Sequence, residues 1–85
     1  ITGGGTENIE RMNPNLKYRL ENLPSIQELP KAMQIIIERS GLSDKELYKT
    51  FNMGLGMVAA TNESDKLISC LQELDLKAQV IGEVV

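Results

Sequence analysis

Apolar residues recur at helical spacing in four stretches of the chain, and residues that start or end helices bound each stretch. The predicted helices cover residues 7–12, 30–40, 43–51 and 66–74. The last one has the most regular apolar face, and we expect that face to be buried in the core. Its members are Leu67, Ile68, Leu71 and Leu74.

Three further stretches have the patterns of β-strands. Residues 16–20 alternate between apolar and charged side chains, as in a half-exposed strand. Residues 57–60 form a continuous apolar run, which is typical of a strand covered on both faces, and residues 78–85 are rich in β-branched side chains. The order strand, helix, strand over residues 57–85 predicts two parallel strands joined by a right-handed crossover, and residues 16–20 can pair antiparallel.

These elements predict an α+β fold, with a small mixed β-sheet and helices packed on one face. Residues 1–85 suffice for a single small domain. A domain of this size buries only about 60% of the surface that its unfolded chain exposes, so we expect a small free energy of unfolding.

The composition narrows the chemistry that the chain can perform. Its net charge of −3 argues against a nucleic-acid-binding protein, and no apolar run approaches the roughly 20 residues that cross a membrane. The absence of histidine excludes a Cys/His zinc site and a Ser-His-Asp triad, and no metal site is predicted. We expect the single cysteine, Cys70, to be a small buried apolar residue. Glu83, in an apolar stretch, is either an edge charge or a site residue.

Residues 1–6, here called the glycine loop, are the strongest candidate for chemistry. Three consecutive glycines allow the backbone to turn sharply and to approach a ligand closely. The loop leads into the predicted helix 7–12, which Thr6 can cap and whose first N–H groups favour an anion. The hydroxyl of Thr2 and the amide of Asn8 can add donors. From residue types alone, the loop is either a phosphate-binding element or a flexible leader.

A second segment, residues 50–57, combines an asparagine with two glycines. Asn52 either caps the preceding helix or points its amide into a cleft. Gly54 and Gly56 permit a bulge or the close approach of another backbone. Residue physics alone favours the capping role.

These motifs resemble one enzyme family. The run I-T-G-G-G-T-E-N-I-E-R over residues 1–11 resembles the segment I-T-G-G-G-x-x-E-N-I-P-R of the aminoimidazole ribonucleotide synthetases, also called phosphoribosylformylglycinamidine cyclo-ligases. The run E-L-Y-K-T-F-N-M-G-L-G-M over residues 46–57 is similar to their E-M-Y-R-T-F-N-M-G-x-G-M, and residues 80–85 resemble their closing strand. Two departures are that Thr6 stands where the family has two residues, and that Glu10 replaces its proline.

The resemblance implies that the chain is the C-terminal part of a longer enzyme and is inactive alone. Such enzymes convert formylglycinamidine ribonucleotide and ATP to aminoimidazole ribonucleotide, ADP and phosphate, in the purine synthesis of the cytoplasm. They are homodimers, and ATP with Mg²⁺ binds mainly to an N-terminal domain outside this chain. A stand-alone anion-binding or assembly module without catalysis is the alternative.

The resemblance also implies which residues lie at the substrate cleft, with the glycine loop as the candidate for the ribose phosphate. The implied substrate-binding residues are Thr2, Gly3, Gly4, Gly5 and Asn8. The implied cleft-lining residues are Asn52 and Gly54. No residue is identified as the catalytic base.

Overall fold

The computed structural model describes all 85 residues, which form four α-helices and one pair of short strands. The helices are α1 (Glu7–Glu10), α2 (Lys31–Ser40), α3 (Asp44–Thr50) and α4 (Ser64–Glu73). The strands are β1 (Tyr18–Leu20) and β2 (Gly82–Val84), and a 3-10 turn covers Ile26–Glu28. The chain is therefore α+β, and each helix lies where the sequence pattern predicts one, within a few residues at its ends.

The hydrophobic core lies between α2, α3 and the loops on either side of them. Its four members are Leu29, Ile37, Leu47 and Met53. Helix α3 contributes most directly, because Leu47 is buried and Tyr48 and Phe51 pack against the cluster as predicted. Gly41 ends α2 in the left-handed conformation that its position predicts, with φ of 70°.

The sheet is smaller and simpler than predicted. Strands β1 and β2 pair antiparallel, with Arg19 opposite Glu83, and they form the whole two-stranded sheet. Residues 57–60 form no strand, so the predicted mixed sheet and its parallel crossover are wrong. No other strand lies beside this apolar run, so its backbone groups have no partner with which to form a strand. Its side chains are also left without cover, and Met57 is 90% exposed.

Helix α4 forms as predicted, but its apolar face is not core. None of its residues is buried. Leu67, Ile68 and Leu71 are half-buried, and Leu74, just beyond the helix, is 70% exposed. The periodicity of the sequence identifies the apolar face of α4. It does not show whether the rest of the chain covers that face, and here the rest of the chain covers it only in part.

Several local predictions also need correction. Met12 and Ile36 lie on the apolar faces of the predicted helices 7–12 and 30–40, which predicts burial, but both are exposed. Cys70 is exposed rather than buried, because the predicted face of α4 beside it is itself uncovered. Glu83 is an edge charge, since its carboxylate pairs with the guanidinium of Arg19 on the neighbouring strand. Ser43 caps α3 as predicted, with its hydroxyl accepting from the Glu46 N–H at 3.4 Å.

The chain is more open than a self-contained domain of its length. Its radius of gyration is 13.8 Å, against about 12 Å for a compact 85-residue domain. Its accessible surface is 6575 Å², against roughly 5000 Å² for a folded monomer of this mass. No helix combines the length and apolar character that a membrane-spanning segment needs.

Candidate functional site

The glycine loop adopts a conformation that only glycine tolerates at two positions. Gly3 has φ of 138° and Gly4 has φ of 72°, both in the region that L side chains rarely adopt. Thr2, Gly3 and Gly4 are exposed. The loop therefore turns sharply at the surface. The sequence predicts this turn as the feature that allows a ligand to approach the backbone.

Gly5 anchors this exposed loop to the C-terminal end of α3. It is buried, and a Cβ at this position would overlap the backbone carbonyl oxygens of Tyr48 and Phe51. The N–H of Thr6 donates to the Tyr48 carbonyl at 2.8 Å, and its hydroxyl donates to the same oxygen at 3.2 Å. Only a glycine can approach the helix end this closely.

Thr6 consequently does not act as the predicted helix cap. Its own backbone is helical, and its side chain makes no capping bond to α1. Helix α1 is one turn of four residues, so its dipole has little strength and the backbone of the loop is the more important element. The hydroxyl of Thr6 serves the contact between the loop and α3 instead.

The structure brings the second motif beside the first. The backbone nitrogen of Ile1 contacts the Gly56 carbonyl, and Gly5 lies against Phe51. Asn52 turns its side chain onto its own loop, where its Oδ1 accepts from the Gly54 N–H at 2.9 Å. Asn52 does not have the capping role that residue physics favours, because Phe51 is the C-cap residue of α3 and Asn52 forms the following turn instead. Asn52 and Gly54 are both exposed next to the glycine loop.

The turn at residues 52–54 places an anchor in the core. Met53 has φ of 53° and is fully buried, while Gly54 has φ of 90° and lies against Leu29. A Cβ at Gly54 would approach the Leu29 side chain to 3.0 Å. Gly54 is therefore required by the backbone of this turn, whether or not a ligand contacts it.

Asn8 lies on α1 and faces back to the glycine loop. Its amide nitrogen donates to the Gly3 carbonyl at 2.8 Å and to the Gly5 carbonyl at 2.9 Å. Its amide oxygen accepts from Arg11 at 3.0 Å. Both amide hydrogens are occupied, so Asn8 shapes the loop rather than offering a free donor. The sequence signal for the contact between Asn8 and Arg11 is the pattern Asn-x-x-Arg after a glycine run. Residue types alone present Asn8 as a separate donor and do not predict this contact.

The N–H groups of the glycine loop remain available. The backbone N–H groups of residues 2–5 donate no hydrogen bond within the structure. Gly5 is the unusual one, because it is buried and buried N–H groups nearly always have a partner. The carboxylate of Glu7 lies beside Gly4 and pairs with the guanidinium of Arg11 at 3.7 Å. The loop thus presents a row of donors whose neighbouring carboxylate is partly compensated.

Tyr48 links this region to the other side of the core. Its hydroxyl donates to the Pro24 carbonyl at 2.8 Å. Partial burial raises the pKa of the Tyr48 hydroxyl, and the carboxylates of Asp44 and Glu28 raise it further. Tyr48 therefore stays neutral at physiological pH and acts as a structural donor.

Comparison with known proteins agrees with the motifs. The family described as AIR synthase related protein, C-terminal domain, matches residues 1–85. The chain belongs to this family. No solved structure matches it significantly.

Three curated relatives of this AIR synthase related domain carry the same enzyme name. The phosphoribosylformylglycinamidine cyclo-ligase of Geobacter sulfurreducens is 41% identical over 87 residues, which cover 99% of this chain and 25% of that protein. Those of Methanocaldococcus jannaschii and Methanococcus vannielii are 36% and 35% identical, covering 100% and 99% of this chain and 24% of each relative. The chain thus spans about a quarter of the length of the relatives that it matches.

Proposed function

We propose that this chain forms the C-terminal part of a phosphoribosylformylglycinamidine cyclo-ligase, and that its glycine loop binds the phosphate of the substrate ribonucleotide. The observation that carries the proposal is the set of unpaired N–H groups over residues 2–5. They lie in the segment that resembles the family's glycine run, and at the exposed residues Gly3 and Gly4 no Cβ limits the approach of a ligand.

The proposed reaction activates the amide oxygen of formylglycinamidine ribonucleotide with ATP. Ring closure then gives aminoimidazole ribonucleotide, ADP and phosphate, as a step of cytoplasmic purine synthesis. The part that this chain plays is to hold and orient the ribonucleotide through the backbone of Gly3, Gly4 and Gly5, with the hydroxyl of Thr2 as a further donor. Asn52 and Gly54 lie beside this loop and line the same cleft.

ATP binding is assigned to a different part of the enzyme. We place ATP with Mg²⁺ on the N-terminal domain that the family resemblance implies. The residues of this chain then act on the ribonucleotide alone.

The exposed apolar side chains support a contact with that N-terminal domain and with a second subunit. Met57 is 90% exposed, Leu74 70% and Val85 64%, although each belongs to an apolar stretch. A contiguous exposed apolar patch marks an interaction site, and we propose that these side chains contribute to one. The isolated chain should therefore self-associate. A monomer at high concentration in sedimentation, with a melting temperature above that of ordinary domains, would contradict this.

The test of the proposed function uses the full-length protein whose reading frame contains this chain. With formylglycinamidine ribonucleotide and ATP it should form the aminoimidazole product together with ADP and phosphate, and the 85-residue chain alone should form none. A reading frame that lacks an ATP-binding domain, or a full-length protein without this activity, would instead favour a stand-alone binding module.

A further inference from the structure

Asn8 controls the direction of two peptide groups in the glycine loop. Its amide nitrogen holds the carbonyls of Gly3 and Gly5, at 2.8 and 2.9 Å. Every peptide bond of the chain is trans, so the N–H that follows each carbonyl points the opposite way. Holding the Gly3 carbonyl therefore aims the Gly4 N–H away from Asn8. Holding the Gly5 carbonyl aims the Thr6 N–H at Tyr48, to which it donates.

Arg11 fixes which way round the Asn8 amide lies. Its guanidinium donates to the Asn8 Oδ1 at 3.0 Å. A reversed amide would place its NH₂ group against the guanidinium and its oxygen against two carbonyl oxygens, so every one of these contacts would become repulsive. Glu7 lies 3.7 Å from the same guanidinium and helps to hold it in place. Arg11 has no hydrogen-bonding contact of its own with the loop backbone.

We infer that Asn8 and Arg11 are positioning residues for the substrate phosphate, with Arg11 acting through Asn8 to present the Gly4 N–H. The inference rests on the proposed function of the loop and adds the residues that set its shape. A surface arginine beside a phosphate site would ordinarily be assigned as a direct ligand of the phosphate. Here the effect of Arg11 on phosphate binding depends entirely on Asn8.

The experiment is a double-mutant cycle in the full-length enzyme, with Asn8→Ala, Arg11→Ala and the double variant. Asn8→Ala should raise KM for the ribonucleotide about tenfold, the effect of misplacing one hydrogen bond to a charged group. Arg11→Ala should raise KM by a smaller factor. The double variant should match Asn8→Ala within about twofold, which is the usual scatter when such effects are compared. KM for ATP should not change.

Two further variants separate positioning from charge. Arg11→Lys keeps the charge but loses the rigid planar donor, and it should restore part of the lost affinity. Arg39→Ala removes an equal charge from an exposed site on α2, away from the loop, and should leave KM unchanged. Arg11 is 70% exposed, so its variants should fold even if Asn8→Ala does not. Amide hydrogen exchange at Thr6, whose N–H donates to the Tyr48 carbonyl, should accelerate without substrate in Asn8→Ala and Arg11→Ala, because the Gly5–Thr6 peptide group is then no longer held.

The outcomes distinguish this inference from the function on which it rests. If the two single effects on KM multiply in the double variant, Arg11 contacts the substrate independently and the inference is wrong. If neither variant changes KM or Thr6 exchange, the inference is also wrong, and the proposed function survives provided that Gly4→Val, which alters the loop directly, raises KM. If no loop variant changes KM, the proposed function fails with it.

Discussion

Replacement of Gly5 by alanine tests the contact that holds the glycine loop against α3. The added Cβ would lie 2.5 Å from the Phe51 carbonyl oxygen and closer still to that of Tyr48, whereas ordinary contacts begin near 3.4 Å. Both obstacles are backbone atoms at a helix end, so no side chain can rotate out of the way. The loop and α3 must separate by roughly 1 Å to admit one methyl group.

The change in the free energy of unfolding combines three terms. Overpacking of this kind costs about 1–3 kcal/mol. Separation also weakens the hydrogen bond from the Thr6 N–H to the Tyr48 carbonyl, which contributes about 0.5–1.5 kcal/mol. Alanine offsets about 0.4–1 kcal/mol of this loss, because it restricts the unfolded chain. We therefore expect Gly5→Ala to lower the free energy of unfolding by about 0.5–4 kcal/mol, at its upper end a large fraction of what a domain this small has.

Urea denaturation followed by circular dichroism measures this difference, and the chain offers a matched control. Gly56 also has an ordinary φ, but a Cβ there would meet nothing within 4 Å. Gly56→Ala should therefore leave the midpoint unchanged or raise it slightly, while Gly5→Ala lowers it clearly. Equal midpoints for the two variants would refute the close approach of the loop to α3.

Two further predictions concern packing and pH. Leu47→Ala should lower the free energy of unfolding by about 2–5 kcal/mol, because Leu47 is only 2% exposed. Leu71→Ala, on the half-buried face of α4, should lower it clearly less. Equal losses in thermal melts would contradict the observed core. The raised pKa of Tyr48 means that the unfolded state ionises first, so stability should be complete below pH about 10 and fall as pH rises through the folded pKa. Tyr48→Phe should remove this component of the alkaline loss of stability, although it also removes the hydrogen bond to the Pro24 carbonyl. An unchanged pH profile of the melting temperature would contradict the assignment of this loss to Tyr48.

Local rules predicted the helices of this chain well and its sheet poorly. The face and ends of α2 and α3 follow from periodicity, from the Ser43 cap and from Gly41, all of which act within a few residues. A strand needs a neighbour from a distant part of the chain, and residues 57–60 have none here. The prediction of burial fails for the same reason on α4, because whether an apolar face is covered depends on parts of the structure that are distant in sequence.

The candidate site divides along the same line. The glycine run and its proximity to α1 are visible in the sequence, and so is the turn-forming tendency of Asn52. The docking of Gly5 against Tyr48 and Phe51 is not, because the residues are more than 40 positions apart and the contact involves only backbone. The double role of Asn8 as a donor to the loop and an acceptor from Arg11 likewise appears only when all three groups are placed in space.

The central proposal is that the glycine loop binds the ribonucleotide and not ATP. Gly4→Val in the full-length enzyme addresses this directly, because Gly4 has φ of 72° and a Cβ there would lie 3.2 Å from the Asn8 amide nitrogen. The strain is about 1–3 kcal/mol. Gly41→Val is the matched control, since Gly41 has nearly the same φ, 70°, with open space around it on the far side of α2.

The decisive measurement is the affinity of Gly4→Val for the ribonucleotide and for ATP, on the same preparation. The account predicts that affinity for the ribonucleotide falls at least about tenfold, the equivalent of one hydrogen bond to a charged group, while affinity for ATP is unchanged and Gly41→Val changes neither. Loss of ATP affinity with retained ribonucleotide affinity would reverse the assignment of the loop. No change in either affinity would make the glycine loop a purely structural element.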